Sequence, residues 1–230
     1  VLVPMSIPRE APLTVVRETV DIMRQLWSGD NVSYAGRRFR LDSAQISLGA
    51  QEIPIWLSVR GPRLLQLAGE QADAVVLMAT SDLGQALNIV SQGSLQSGNQ
   101  PTRIYLDRIA YTEEMLAEAV ELYTYTVMDS PTRMLRGMGL TDEQIANIQT
   151  AVRTGGPAAA AKFITPDMVK GYQIAGTPEE CSQTLQTLIR TYRLDVFLLN
   201  LISSGLTANT KLMREVAEIV KQAEENPKES

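Results

Sequence analysis

The chain has 230 residues, 44% hydrophobic and 20% charged, with a net charge of −5. That length and balance suit a folded globular chain with a core of its own and argue against disorder. Lys and Arg are scattered, and no basic stripe interleaved with aromatics appears, so nucleic acid is not expected as a partner. Histidine is absent and cysteine occurs once, at Cys181. Ser-His-Asp and Cys-His nucleophiles, a His-bearing zinc site and an internal disulfide are thereby excluded within these residues. No metal is expected, and the chemistry must come from carboxylates, hydroxyls, Lys, Arg or a bound cofactor. The lone thiol points to a reducing compartment, the cytoplasm. No apolar run approaches the roughly 18–20 residues of a membrane span, and the opening VLVPMSIPREAP lacks the basic n-region of a signal peptide.

In chain order, the first helical pattern places Val16, Val20, Met23 and Trp27 on one face, with Gly29 as a stop. Four segments then read as buried parallel strands, being short, apolar and rich in β-branched residues: Ile53–Val59, Ala74–Ala79, Ile104–Tyr111 and Asp195–Ile202. After the third, Leu116, Val120, Tyr123 and Val127 repeat the helical spacing. Shorter pieces follow in SPTRMLRGMG, TDEQIANIQTAVR and ITPDMVKGY, so 112–193 reads as one long helical connection between the last two strands. Thr177-Pro178-Glu179-Glu180 has the order of a capping box and opens a helix with Cys181, Leu185, Leu188 and Ile189 on its inner face. On that face Cys181 is a core residue rather than a reactive thiol. The last helix spans about Thr207 to Glu224, with Leu212, Val216, Ile219 and Val220 inward, and the ENPKES tail is expected to fray.

Alternating strands and helices predict an α/β protein with a parallel sheet, a barrel or a doubly wound open sheet. Ligands in such folds bind at the carboxyl ends of the strands. The first strand end is Ser58-Val59-Arg60-Gly61-Pro62. Gly61 lets a ligand approach the backbone, and Pro62 suits the first helical position. The amides and positive dipole end of the following helix favour an anion, and Arg60 adds a fork for phosphate oxygens. A tight turn with a solvated arginine is the competing reading. At the second strand end, Thr80 and Ser81 either contact a ligand or cap the next helix, capping being favoured. At the third, Arg108 needs a partner if it points inward. At the fourth, Asn200 and Ser203-Ser204 offer an amide and hydroxyls, again open between ligand and cap. Glu70 and Asp73 sit where a helix ends and a strand begins, an ordinary place for carboxylates, and no catalytic residue is assigned.

The run IPIWLSVRGPRLLQLAGEQADAVVLM (53–78) resembles the segment around strand 5 of the luciferase-like (β/α)8 flavin and deazaflavin oxidoreductases. RETVDIMRQLWSGDNVSYAGRRFRL (17–41) is similar to the same family, with its Glu-bearing helix and its Tyr-x-Gly-x-x-Phe. SPTRMLRGMGL (130–140) and ITPDMVKGYQIAGTPEE (164–180) resemble the branch containing the F420-dependent methylenetetrahydromethanopterin reductase. Three departures stand out. Arg60 replaces a small or amide residue, Ala74 replaces a glycine, and Arg136-Gly137 lacks the branch's histidine, which puts that branch's own substrate in doubt.

The resemblance implies a (β/α)8 barrel of TIM type with only its C-terminal four β/α units present, strands 5–8, as one domain over 1–230. It implies an oxidoreductase moving a hydride between coenzyme F420 and a small organic substrate. An FMN-dependent monooxygenase and a truncated, non-catalytic remnant are the alternatives. Carried over by position, Ser58, Val59, Arg60 and Gly61 line the cofactor's phosphate, and Val76, Met78 and Thr80 flank cofactor or substrate. Half a barrel exposes two strand edges, a liability that a second copy would cover, so a homo-oligomer is expected.

Overall fold

The computed structural model describes residues 10–128, 130–201 and 205–225. Its contacts divide the chain into two compact units, Val1–Val75 with Asn88–Thr102, and Val76–Leu87 with Arg103–Ser230. Strand order follows chain order in a four-stranded sheet, β3-β4-β5-β6, and a separate antiparallel pair, β1-β2, precedes it.

In the first unit, α1 (Pro12–Trp27) leads into the hairpin of β1 (Val32–Ala35) and β2 (Arg40–Ala44). Burial pushes the carboxyl of Glu18 up, yet the backbone N–H groups of Arg37, Arg38 and Phe39, which donate to it at 2.7, 2.9 and 2.9 Å, outweigh burial and hold it below the usual carboxylate range. Gly36 makes room for this anchor, since a Cβ there would lie 2.4 Å from Glu18 Oε2. The Tyr-x-Gly-x-x-Phe pattern is therefore the turn that receives the helix's acid. Next come β3 (Trp56–Ser58), α2 (Pro62–Gln71) and the start of β4 (Ala74–Leu77). Asp73 and Glu70 are structural here. Asp73 accepts the Ile55 N–H at 2.7 Å, and Glu70 pairs with Arg17 at 3.1 Å.

Helix α2 and the later part of α3 (Leu83–Ser97) touch backbone to backbone. A Cβ on Gly69 would lie 2.0 Å from the Val90 carbonyl oxygen, and one on Gly93 would lie 2.2 Å from that of Gln66.

In the second unit, β5 (Thr102–Asp107) pairs in parallel with β6 (Val196–Leu199), from Ile104↔Val196 to Asp107↔Leu199. Between them run α4 (Glu113–Met128), α5 (Thr132–Gly137), α6 (Asp142–Ala161), α7 (Pro166–Lys170) and α8 (Pro178–Tyr192), and α9 (Leu206–Glu225) follows. Thr141 with Gln144 and Thr177 with Glu180 form complete capping boxes. α6 breaks at Gly156, whose φ of 69° and ψ of −167° are non-helical. A core of its own gathers Val127, Met134, Leu135, Ile145, Ile148, Met168 and Tyr172, with Leu116, Val120 and Tyr123 packed against it. Cys181 is buried on α8 as expected.

The strands are shorter than the apolar runs that announce them, and they are not uniformly buried. β4 is buried throughout, but Trp56 in β3 and Val196 in β6 remain 52% and 39% exposed. The expectation of four buried strands fails at the two ends of the strand order, where an outer strand has a neighbour on one side only. Ile202, Ser203, Ser204 and the tail 226–230 lie outside the described residues. Among the described residues no helix is long and apolar enough to cross a membrane.

The glycine contact is testable. Gly93→Ala forces a methyl group onto a carbonyl and loses about 1–3 kcal/mol in urea unfolding. Gly137→Ala, with nothing within 4 Å of its Cβ position, changes stability by less than about 1 kcal/mol. Equal effects would contradict the close approach.

Candidate cofactor site

The end of β3, in the first unit, turns directly into α2 through Arg60-Gly61-Pro62. Gly61 is the N-cap, with φ −76° and ψ 142°, and Pro62 takes the first helical position. Any residue adopts that backbone conformation, and among the described residues no atom beyond its chain neighbours lies within 4 Å of the place a Cβ would take. Neither the turn nor packing against its own chain requires a glycine here. Ser58, Arg60 and Gly61 are exposed, and Val59 is half-buried.

At the end of β4, in the second unit, Val76 is buried while Met78 is 42% exposed. Thr80 and Ser81 reach across to α7. Their hydroxyls donate to the carbonyls of Lys170 and Gly171 at 3.1 and 2.8 Å, fastening this strand end to the end of α7.

The end of β5 holds a buried polar cluster. Asp107 is 1% exposed. Its Oδ1 accepts the N–H groups of Arg108 and Ile109 at 2.6 and 3.0 Å, and its Oδ2 accepts the Tyr105 hydroxyl and the Ile174 N–H at 2.9 and 2.7 Å. Burial raises its carboxyl to about 6, and the four hydrogen bonds offset that only in part. Ile109 sits in the left-handed region at φ 55°, a strained place for a β-branched residue. Its bond to Asp107 holds it there. Arg108 is buried and donates from Nη2 to Glu118 at 2.7 Å, Glu118 being 62% exposed. The partner that an inward arginine needs is thus present. Sequence reasoning singles out Arg108 but passes over Asp107, for which an Asp-Arg pair inside an apolar run is the one signal. Beyond the end of β6, Ser203 and Ser204 lie outside the described residues.

Of the seven residues expected to hold the cofactor, the structure places Ser58, Val59, Arg60 and Gly61 together at one turn. Val76, Met78 and Thr80 lie at the end of β4, where only Met78 presents an exposed side chain. Among the described residues no group of three or more His, Cys, Asp or Glu is placed to hold a metal ion.

The sequence model described as luciferase-like monooxygenase matches residues 2–193. The chain belongs to this family. Within the luciferase-like family it is similar to the 5,10-methylenetetrahydromethanopterin reductases of Methanolobus tindarius (26% identical, 80% of this chain and 60% of the relative) and Archaeoglobus fulgidus (28%, 80% and 59%). The solved coenzyme F420 dependent tetrahydromethanopterin reductase of Methanopyrus kandleri shares the fold, with a TM-score of 0.75 at 22% identity over 91% of this chain and 63% of that one. The chain spans about three fifths of the length of the curated relatives it matches. The expected luciferase-like fold with an incomplete strand set is thereby borne out: four strands in the main sheet among the described residues against the eight of a closed barrel.

The Asp107 carboxyl gives a signed pH test. Its folded value of about 6 stands above the ordinary 3.8, so between those limits the folded state holds the proton more tightly than the unfolded state. Stability from this group is fully present below the lower limit and is lost as pH rises through the upper one, by roughly 3 kcal/mol in all. Urea unfolding of the wild type relative to Asp107→Asn shows that decline between pH 4 and 6.5. A pH-independent difference would contradict it.

Proposed function

We propose that this chain holds coenzyme F420 through its phosphate at Ser58, Val59, Arg60 and Gly61, and works in an oxidoreductase that moves a hydride between the deazaflavin ring and a small organic substrate. The observation that carries the reading is Gly61, a glycine that neither its φ, ψ nor its own chain demands. Room for a backbone approach at the start of a ten-residue helix, beside the exposed residue Arg60, is what a phosphate uses. The reductases it resembles carry F420 or a pterin substrate in their names, and a chain without histidine suits chemistry supplied by a cofactor.

The bound deazaflavin would supply hydride acceptance and donation. The residues' own part is to bind and orient. Backbone N–H groups around Gly61 would donate to phosphate oxygens, and Arg60 would add a charge-assisted bond. For the ring or substrate the proposal rests on Met78, whose side chain is open at the end of β4. Val76 shapes that strand end from within, and Thr80, tied to Lys170, fixes its backbone. The proposal extends to a second copy covering the outer strands, to a cytoplasmic setting and to a partner list without nucleic acid. FMN presents a phosphate of the same kind, and the family description names monooxygenases, so it is the second reading.

Titration of F420 by its fluorescence tests the phosphate site. Arg60→Ala weakens binding by about 1.5–3 kcal/mol, and Gly61→Val weakens it while leaving the thermal transition in place. Unchanged affinity in both variants would return this segment to a plain turn, and preference for FMN over F420 would favour the monooxygenase reading.

A further inference from the structure

A groove opens beside the outer strand β6, within the second unit. It is a hollow of about 580 Å³ walled by β6, α8 and α9, with Val196, Phe197, Met213 and Val216 in its apolar lining. Val196 and Met213 remain 39% and 53% exposed. Its charged residues are Asp195, Glu224 and Lys221, two carboxylates against one ammonium. An open apolar surface rimmed by charge marks a place of contact with another molecule.

The turn between β1 and β2, in the first unit, carries the opposite chemistry. Phe39 is 39% exposed, and the exposed Arg37 and Arg40 flank it in sequence. Arg38 pairs with Glu10 at 2.9 Å, whereas the guanidinium groups of Arg37 and Arg40 have no partner among the described residues. Glu18 accepts the N–H groups of residues 37–39, so this turn is fastened before it meets anything. Less ordering is then left to pay for on docking. An open aromatic ring among arginines has the composition of an interface.

We propose that these two surfaces are the halves of one contact between copies of this chain. The turn of one copy enters the groove of a second, with Phe39 against Val196, Phe197 and Met213, and with Arg37 and Arg40 facing Asp195 and Glu224. Charge decides the occupant. An acidic partner would suit the turn and leave the groove open, and an apolar small molecule would fill the groove and leave the arginines unpaired. A second copy supplies both complements at once. Unlike surfaces close into a dimer when a two-fold axis relates the copies, each giving one turn and one groove. The contact names how the second copy proposed above covers β6 and rests on that part of the reading, but not on the cofactor.

Sedimentation velocity on the wild-type chain tests it. A concentration-dependent dimer that weakens as salt rises is expected. The double variant Arg37→Glu with Arg40→Glu, and the single variant Glu224→Arg, each set like charges against one another. Each is expected to lose at least about tenfold in dimer affinity. Mixed in equal amounts they are expected to dimerise again, because both contacts of the mixed pair then join opposite charges. All three positions are exposed, and an unchanged thermal transition checks that the variants fold. A wild-type chain that stays monomeric up to its solubility limit would overturn the contact together with the second copy proposed above. A dimer indifferent to salt or to the variants, a mixture that stays monomeric, or open-ended growth into polymers would overturn the contact alone. The salt response of the wild type decides even if a variant fails to fold. Absence of F420 binding contradicts the cofactor site while the association result stands.

Discussion

A single buried carboxylate holds the second unit's central crossing together. The chain leaves the sheet at Asp107, runs through four helices, and returns beside its own departure point at Ile174. Asp107 joins departure to return by accepting the Ile174 N–H on one oxygen, and it fixes the exit by accepting the Arg108 and Ile109 N–H groups on the other. An aspartate placed so deep is costly to ionise, which is why its carboxyl titrates near 6. The same bonds hold Ile109 in a left-handed conformation that its branched side chain disfavours. Burial cost and backbone strain are concentrated at a strand end, the part of such folds where ligands bind.

The first unit depends on a related device, a carboxylate received by backbone amides where a glycine makes way. Glu18 and Gly36 seat the hairpin on α1, and Gly69 and Gly93 allow two helices to meet without side chains between them. Gly61 differs from all of these. It has a common backbone conformation and open space around its Cβ position, so no contact among the described residues accounts for a glycine there.

Helices were legible wherever a cap and a periodic face agreed. Thr177 with Glu180 and the buried Cys181–Leu188 face of α8 stand where the spacing puts them. Strand existence was also legible, but strand burial was not, because an apolar run cannot tell an inner strand such as β4 from an outer one such as β3. The Arg60-Gly61-Pro62 turn was visible as strand, punctuation and helix in succession. The roles of Thr80 and Ser81 were hidden, since their partners are carbonyls ninety residues away.

A native mass spectrum of the purified chain, offered F420 and FMN in equal amounts, tests the central claim most directly. The account predicts an adduct of one F420 per chain that outcompetes FMN and is lost in Arg60→Ala. An adduct with FMN alone, or an F420 adduct indifferent to Arg60, would contradict it.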